Sequence, residues 1–215
     1  MDLSADSFIF VVFLGLLWLF LFARDQKTRR EMVTIGIIAA LFAPIFIFLG
    51  RGETGSAVSV LDIVFAFLFA GIAAVIFEAI LGKHYRVGLV GKLPVKKSAE
   101  RWFLRLFLIA LAWTWIAIAF LFVLQTSSMQ SLIAGGLIVG SYILATRKAL
   151  FWDAVLSAAM MMAVFFFIYA ITVVRSLPDI SIFLLNLPAE ALIWSATLGF
   201  VLGPIYEYAR DLRLR

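Results

Sequence analysis

Apolar runs of bilayer-crossing length recur along almost the whole chain. A hydrocarbon core of about 30 Å takes roughly 20 helical residues to cross. Runs near that length occupy residues 7–23, 32–50, 57–81, 102–124, 129–145, 150–174 and 182–206. The first and fifth, about 17 residues long, sit at the short limit for a span and on length alone suit interfacial or re-entrant segments equally. Of the 215 residues, 65% are hydrophobic and only 14% are charged, with a mean hydropathy of +1.11. A water-soluble chain carries about a quarter charged residues, so much of this apolar surface requires lipid.

Charge placement decides between seven spans and fewer. With the N-terminus outside, the inner side receives Arg24, Lys27, Arg29, Arg30, Lys83, Arg86, Lys92, Lys96, Lys97, Arg101, Arg105, Arg147, Lys148, Arg210, Arg213 and Arg215. The outer side receives only Arg51 and Arg175. Such a bias is the positive-inside signal, and removing any one span breaks the alternation. The expectation is an all-α polytopic membrane protein with seven transmembrane helices, N-terminus out and C-terminus in, multi-pass in the cell (plasma) membrane. The first run is not flanked like a cleaved signal peptide: Asp2 and Asp6 precede it, and the cations follow it. The net charge of +5 calls for no nucleic acid, because these cations meet anionic headgroups of the cytoplasmic leaflet. Residues 92–97 read as a topogenic loop or as a membrane-docking segment.

Two absences exclude chemistry. With no cysteine there are no disulfides, thiolate metal sites or thiol nucleophiles. His84 is the single histidine, which removes the His-rich diiron enzymes. No motif calls for a metal, nucleotide or flavin, and the cofactor question stays open.

The chain compares with itself. Asp62 precedes Gly71 as Glu190 precedes Gly199, and the two runs close on Phe77-Glu78 and Tyr206-Glu207. The first and fifth runs each end in basic residues, Arg24 to Arg30 and Arg147-Lys148, followed at once by another run. The pattern reads as a first three-helix unit (1–81), a cytoplasmic loop with a linker helix (82–128) and a second three-helix unit (129–215). An odd linker makes the two units parallel, related by an axis along the membrane normal. Asp62 and Glu190 then become equivalent positions facing each other; the competing reading is chance likeness between apolar spans.

Ionisable groups inside a span are functional candidates by default. Glu78, Asp153 and Glu207 lie near the inner interface beside Arg147, Lys148, Arg86 and Arg210, and read first as an inner polar layer of ion pairs. Counted from residue 182, Glu190 lies about 12 Å into its run at 1.5 Å per residue. Pro188 tends to open a helix near that acid, and Trp194 lies one turn further on. A carboxyl group so placed reads as a proton donor or as a buried hydrogen-bonding contact. Asp62 is shallower. The G-x-x-x-G spacings at Gly136/Gly140 and Gly199/Gly203 let helices approach closely and predict tight packing of the fifth and seventh helices. Met160 to Met162 and Phe165 to Phe167 read as lipid-facing filler or as the wall of a pocket for a long apolar ligand.

Asn186-Leu-Pro-Ala-Glu-Ala-Leu-Ile-Trp194, with Gly199 and Gly203-Pro-Ile-Tyr-Glu207, resembles the signature of the lycopene cyclase domain family, small membrane cyclases with a P-x-E-(E/D) motif opening a transmembrane helix. Pro188 and Glu190 match its first and third positions; Arg147-Lys148 and Trp152-Asp153 resemble its basic pair and a Trp-Asp that follows. Ala191 stands where the motif has a second acid, and in the first half Val60 and Ile63 replace the proline and the second acid around Asp62. The resemblance implies three-plus-one-plus-three helices and protonation of a terminal double bond of a linear polyene, followed by ring closure and proton loss. Glu190 is then the catalytic acid, Asp62 its partner or base, and Pro188, Trp194 and Trp152 substrate contacts.

The implied partners are membrane lipids and a long apolar isoprenoid, with oligomeric state open. A transporter or ligand carrier, and a purely structural protein, remain alternatives. A retinal-binding photoreceptor is excluded, because the last run has no lysine.

Overall fold

The computed structural model describes residues 5–24, 26, 28–51, 58–81, 86–87, 95–174, 189–210 and 212–213. They form seven α-helices: α1 (Ala5–Arg24), α2 (Arg29–Arg51), α3 (Val60–Leu81), α4 (Val95–Val123), α5 (Ser128–Thr146), α6 (Phe151–Val174) and α7 (Ala189–Arg210). A 3-10 turn, Lys148–Leu150, links α5 to α6. A two-residue ladder pairs Arg86 with Arg213 and Val87 with Leu212, tying the segment after α3 to the segment after α7. Five of these helices contain apolar stretches long enough to cross a membrane: Val60–Ile80, Trp102–Val123, Ser128–Thr146, Lys148–Ile171 and Ala189–Arg210.

Helix ends follow from local chemistry. Arg29 Nε donates to the Phe22 carbonyl at 2.6 Å, placing a cation at the negative end of α1. Beyond α4, Gln125 takes φ 52°, a left-handed stop of the kind that closes helices. Ser127 then caps α5 by accepting from the Gln130 backbone N–H at 3.2 Å. The turn is short, so α4 and α5 lie antiparallel and in contact. At 29 residues, α4 is about 43 Å long at 1.5 Å per residue. It begins well before the run at residues 102–124 and carries Lys96, Lys97 and Arg101 on its extension.

The closest helix partners are α2 with α3 and α6 with α7; α3 and α7 also meet each other. Helix α3 is apolar on every side, as a central helix must be, and residues 69–79 are all buried. Residues 201–207 of α7 are likewise buried. By contrast Phe8, Leu16 and Phe20 of α1 and Leu104, Trp115 and Phe122 of α4 are exposed, a surface suited to lipid.

Between helices in lipid, association rests on close packing more than on the hydrophobic effect. A Cβ at Gly199 would fall on the Ser157 carbonyl, and one at Gly203 on the Ser157 side chain. The G-x-x-x-G of α7 therefore seats α6, while Gly136 and Gly140 of α5 receive Thr197 and Phe200 of α7. The expected contact of the fifth and seventh helices is present, and the closer one is between α6 and α7.

Candidate functional site

Two groups of side chains stand out, one at each end of α3 and α7. At the N-terminal ends, Ser59 and Asp62 form a reciprocal cap: the Ser59 N–H donates to Asp62 Oδ2 at 3.0 Å, and the Asp62 N–H donates to Ser59 Oγ at 3.2 Å. This is the capping-box logic with aspartate in the acid position. Glu190 lies in the first turn of α7 and is exposed. Its Oε1 accepts from Gln130 Nε2 at 3.2 Å, which fastens the start of α7 to the start of α5.

The depth of about 12 Å counted for Glu190 starts from residue 182, and residues 182–188 lie outside the described ones. The described part of the last helix opens at Ala189 and carries Glu190 in its first turn. Proline is a good first-turn residue as well as a helix breaker, and an acid in the first turn is favoured by the helix dipole. Pro188 itself lies outside the described residues.

Below these acids runs an aromatic stack. Trp194, one turn along from Glu190, stacks on Phe69 at 5.4 Å and on Phe65 at 6.3 Å. Phe65 stacks on Phe69 at 5.3 Å. Phe10 of α1 bridges Phe65 at 5.8 Å and Phe165 of α6 at 5.6 Å. Because residues three and four apart share a helix face, Asp62 overhangs Phe65 as Glu190 overhangs Trp194. Trp152 takes no part. It is 65% exposed and makes an edge contact with Phe151 at 5.6 Å, which suits the membrane interface, where amphipathic rings collect.

At the opposite end, four acids converge. Glu31 lies in the first turn of α2 and Asp153 in the first turn of α6. Glu78 and Glu207 lie within a turn of the C-terminal ends of α3 and α7. All four are buried, with exposures of 3%, 2%, 9% and 1% for Glu31, Asp153, Glu78 and Glu207. Glu31, Glu78 and Glu207 each offer an oxygen within 4.8 Å of the others. Asp153 acts electrostatically on Glu31 and Glu207 and lies at 3.5 Å from Ser157 Oγ. Glu31 Oε1 and Glu207 Oε2 are buried with no hydrogen-bond partner among the described residues.

Cations surround this cluster without all turning toward it. Arg210 donates to the Tyr206 hydroxyl at 3.0 Å and lies 6.0 Å from the Trp102 ring. Arg30 stands over the same ring at 5.7 Å, and Trp102 meets Tyr206 edge-on at 5.5 Å. Arg147 donates to the main-chain carbonyl of Glu207 at 3.3 Å. Glu78, Asp153, Glu207 and Arg147, grouped on sequence, thus come to one place.

Glu31 was not among the expected residues. The second apolar run begins at Met32, which leaves Glu31 outside by one position. Its helical register could have found it: the helix starts at Arg29 and turns Glu31 inward, beside the buried Met32.

Comparison with known proteins gives no help beyond this geometry: no family model matches the chain, and no curated protein or solved structure matches it.

Proposed function

We propose that the chain is a seven-span protein of the plasma membrane, built as two parallel three-helix units joined by α4, with its N-terminus outside. Within it a long isoprenoid undergoes acid-catalysed, redox-neutral ring closure, the chemistry implied by its resemblance to the lycopene cyclase domain family. The duplicated design draws support from packing. Gly71 and Gly199, paired on sequence, each lie against a backbone carbonyl of the preceding helix, that of Met32 in α2 and that of Ser157 in α6. The close α2–α3 pair also has its counterpart in α6–α7.

The aromatic stack beneath two carboxyl groups is the observation that carries the chemistry. Protonation of a terminal double bond leaves a carbocation, and the faces of aromatic rings stabilise positive charge. In this reading Glu190 supplies the proton and Gln130 holds its carboxyl group in place. Trp194, Phe65 and Phe69 face the cation as the ring closes, and a carboxylate, with Asp62 the candidate, accepts the proton lost from the adjacent carbon. Proton given and proton returned balance, so no redox partner enters.

A second reading has its own support. The Ser59–Asp62 cap and the exposed Glu190 both suit helix-end roles, and a non-catalytic or transport-type protein holding a lipid-like ligand against the same aromatics needs no acid. Expression in a lycopene-accumulating bacterial strain separates the two. Ring-closed carotenoids with the parent protein and none with Glu190→Gln would support the cyclase. Unchanged lycopene with both would leave the carrier reading.

A further inference from the structure

We propose that Glu31, Glu78 and Glu207 bind one hard divalent cation, which fastens the inner end of the bundle. Oxygens sharing an ion at about 2.0–2.6 Å lie roughly 3–5 Å apart, depending on whether they are adjacent or opposite. One oxygen from each of these three carboxylates lies within 4.8 Å of the other two, a spacing that encloses a single ion.

The unpartnered oxygens supply the second argument. Glu31 Oε1 and Glu207 Oε2 have no hydrogen-bond partner among the described residues, and both side chains are almost wholly buried. A buried carboxylate oxygen without a partner is costly. Arg210 of α7 acts electrostatically on both carboxyl groups, but it donates to the Tyr206 hydroxyl at 3.0 Å and hydrogen-bonds neither of these two oxygens. Helix direction adds a further term. Glu78 and Glu207 stand at the C-terminal ends of α3 and α7, where the helix dipole is already negative and favours a cation.

The donor set selects the ion. Three carboxylates with no nitrogen or sulfur ligand suit Mg²⁺, Mn²⁺ or Ca²⁺, and disfavour zinc and copper. All three acids lie within about one turn of a helix end, so the ion can enter from the aqueous side without crossing the bundle. Its ligands come from α2, α3 and α7, so it joins the first helices of the chain to the last.

Full-length protein in detergent, stripped with EDTA and titrated with Mn²⁺, should bind one ion per chain by electron paramagnetic resonance, with Mg²⁺ or Ca²⁺ competing. Its unfolding midpoint should rise by roughly 5–10 °C at a hundredfold excess over Kd. Glu31→Gln and Glu207→Gln should each weaken binding by about tenfold or more, at least the loss seen when outer ligand partners are removed. Glu190→Gln, at the other end of the bundle, should leave Mn²⁺ binding unchanged. If Glu207→Gln does not fold, Glu31→Gln and the midpoint shift of the parent protein decide the matter. A parent protein that binds no Mn²⁺, or binds it equally well after Glu31→Gln, overturns the proposal and leaves protons to neutralise the cluster. Ion binding is read without any isoprenoid, so this result and the carotenoid assay can fail independently.

Discussion

Ser59 and Asp62 exchange hydrogen bonds across the start of α3, so the Asp62 carboxyl group already has structural work. That duty can be separated from catalysis at a single atom. Asparagine retains the oxygen that accepts from the Ser59 N–H but loses the acid. Asp62→Asn should cost about 0.3–1 kcal/mol, the loss of its charge at the helix N-terminus, while Ser59→Ala should cost about 0.5–2 kcal/mol, both read from unfolding in a detergent titration. If the proposed cyclisation survives Asp62→Asn, the proton is returned to another base. At the same scale, Glu190 and Glu31 mark what a sequence does and does not display. Glu31 lies one position outside an apolar run, and Glu190 lies eight residues into one. Glu31 is passed over by the apolar run, because α2 starts at Arg29 and takes that acid into its first turn. Where a helix starts is set by local capping and by tertiary contacts, and apolar content records neither with single-residue accuracy.

Among the elements, α6 and α7 form the tightest described pair, and the reason is confined to a few atoms. Gly199 leaves no room for a methyl group beside the Ser157 carbonyl, whereas a Cβ at Gly15 of α1 would meet only Leu68 Cδ1 at 3.9 Å. Gly199→Ala should therefore destabilise the protein by about 1–3 kcal/mol, and Gly15→Ala should be close to neutral. The same unfolding titration compares them. Runs of apolar residues located most of the helices, because crossing length leaves a long and unambiguous mark. G-x-x-x-G spacing announced close packing of α5 and α7 and missed the closer partner of α7, since a glycine pair shows that a neighbour approaches without showing which. The aromatic stack was only partly legible. Trp194 was singled out, but its faces on Phe65 and Phe69 depend on how α3 lies beside α7. Trp152, singled out by the family resemblance, lies on an outward face of α6, away from this stack.

For the whole molecule, the absence of cysteine makes the proposed topology directly testable. In intact cells a membrane-impermeant maleimide should label Ser127→Cys, in the turn after α4, and should spare Gln26→Cys, between α1 and α2, until the membrane is opened. The reverse pattern would invert the orientation, and equal labelling would break the seven-span count. The four buried acids also bear on the molecule as a whole, because α2 and α3 contribute Glu31 and Glu78 while α6 and α7 contribute Asp153 and Glu207. During synthesis these groups do not arrive together. At roughly 5–20 residues per second, Glu207 leaves the ribosome on the order of ten seconds after Glu78. Over that interval, in the proposed orientation, the first pair of carboxyl groups must remain in contact with water or headgroups at the inner surface. The bundle can close only when its final helix has entered the membrane, so in the proposed orientation a nascent chain stalled before α7 would present an open acidic notch to the cytoplasm, a feature by which quality-control machinery could tell unfinished chains from finished ones.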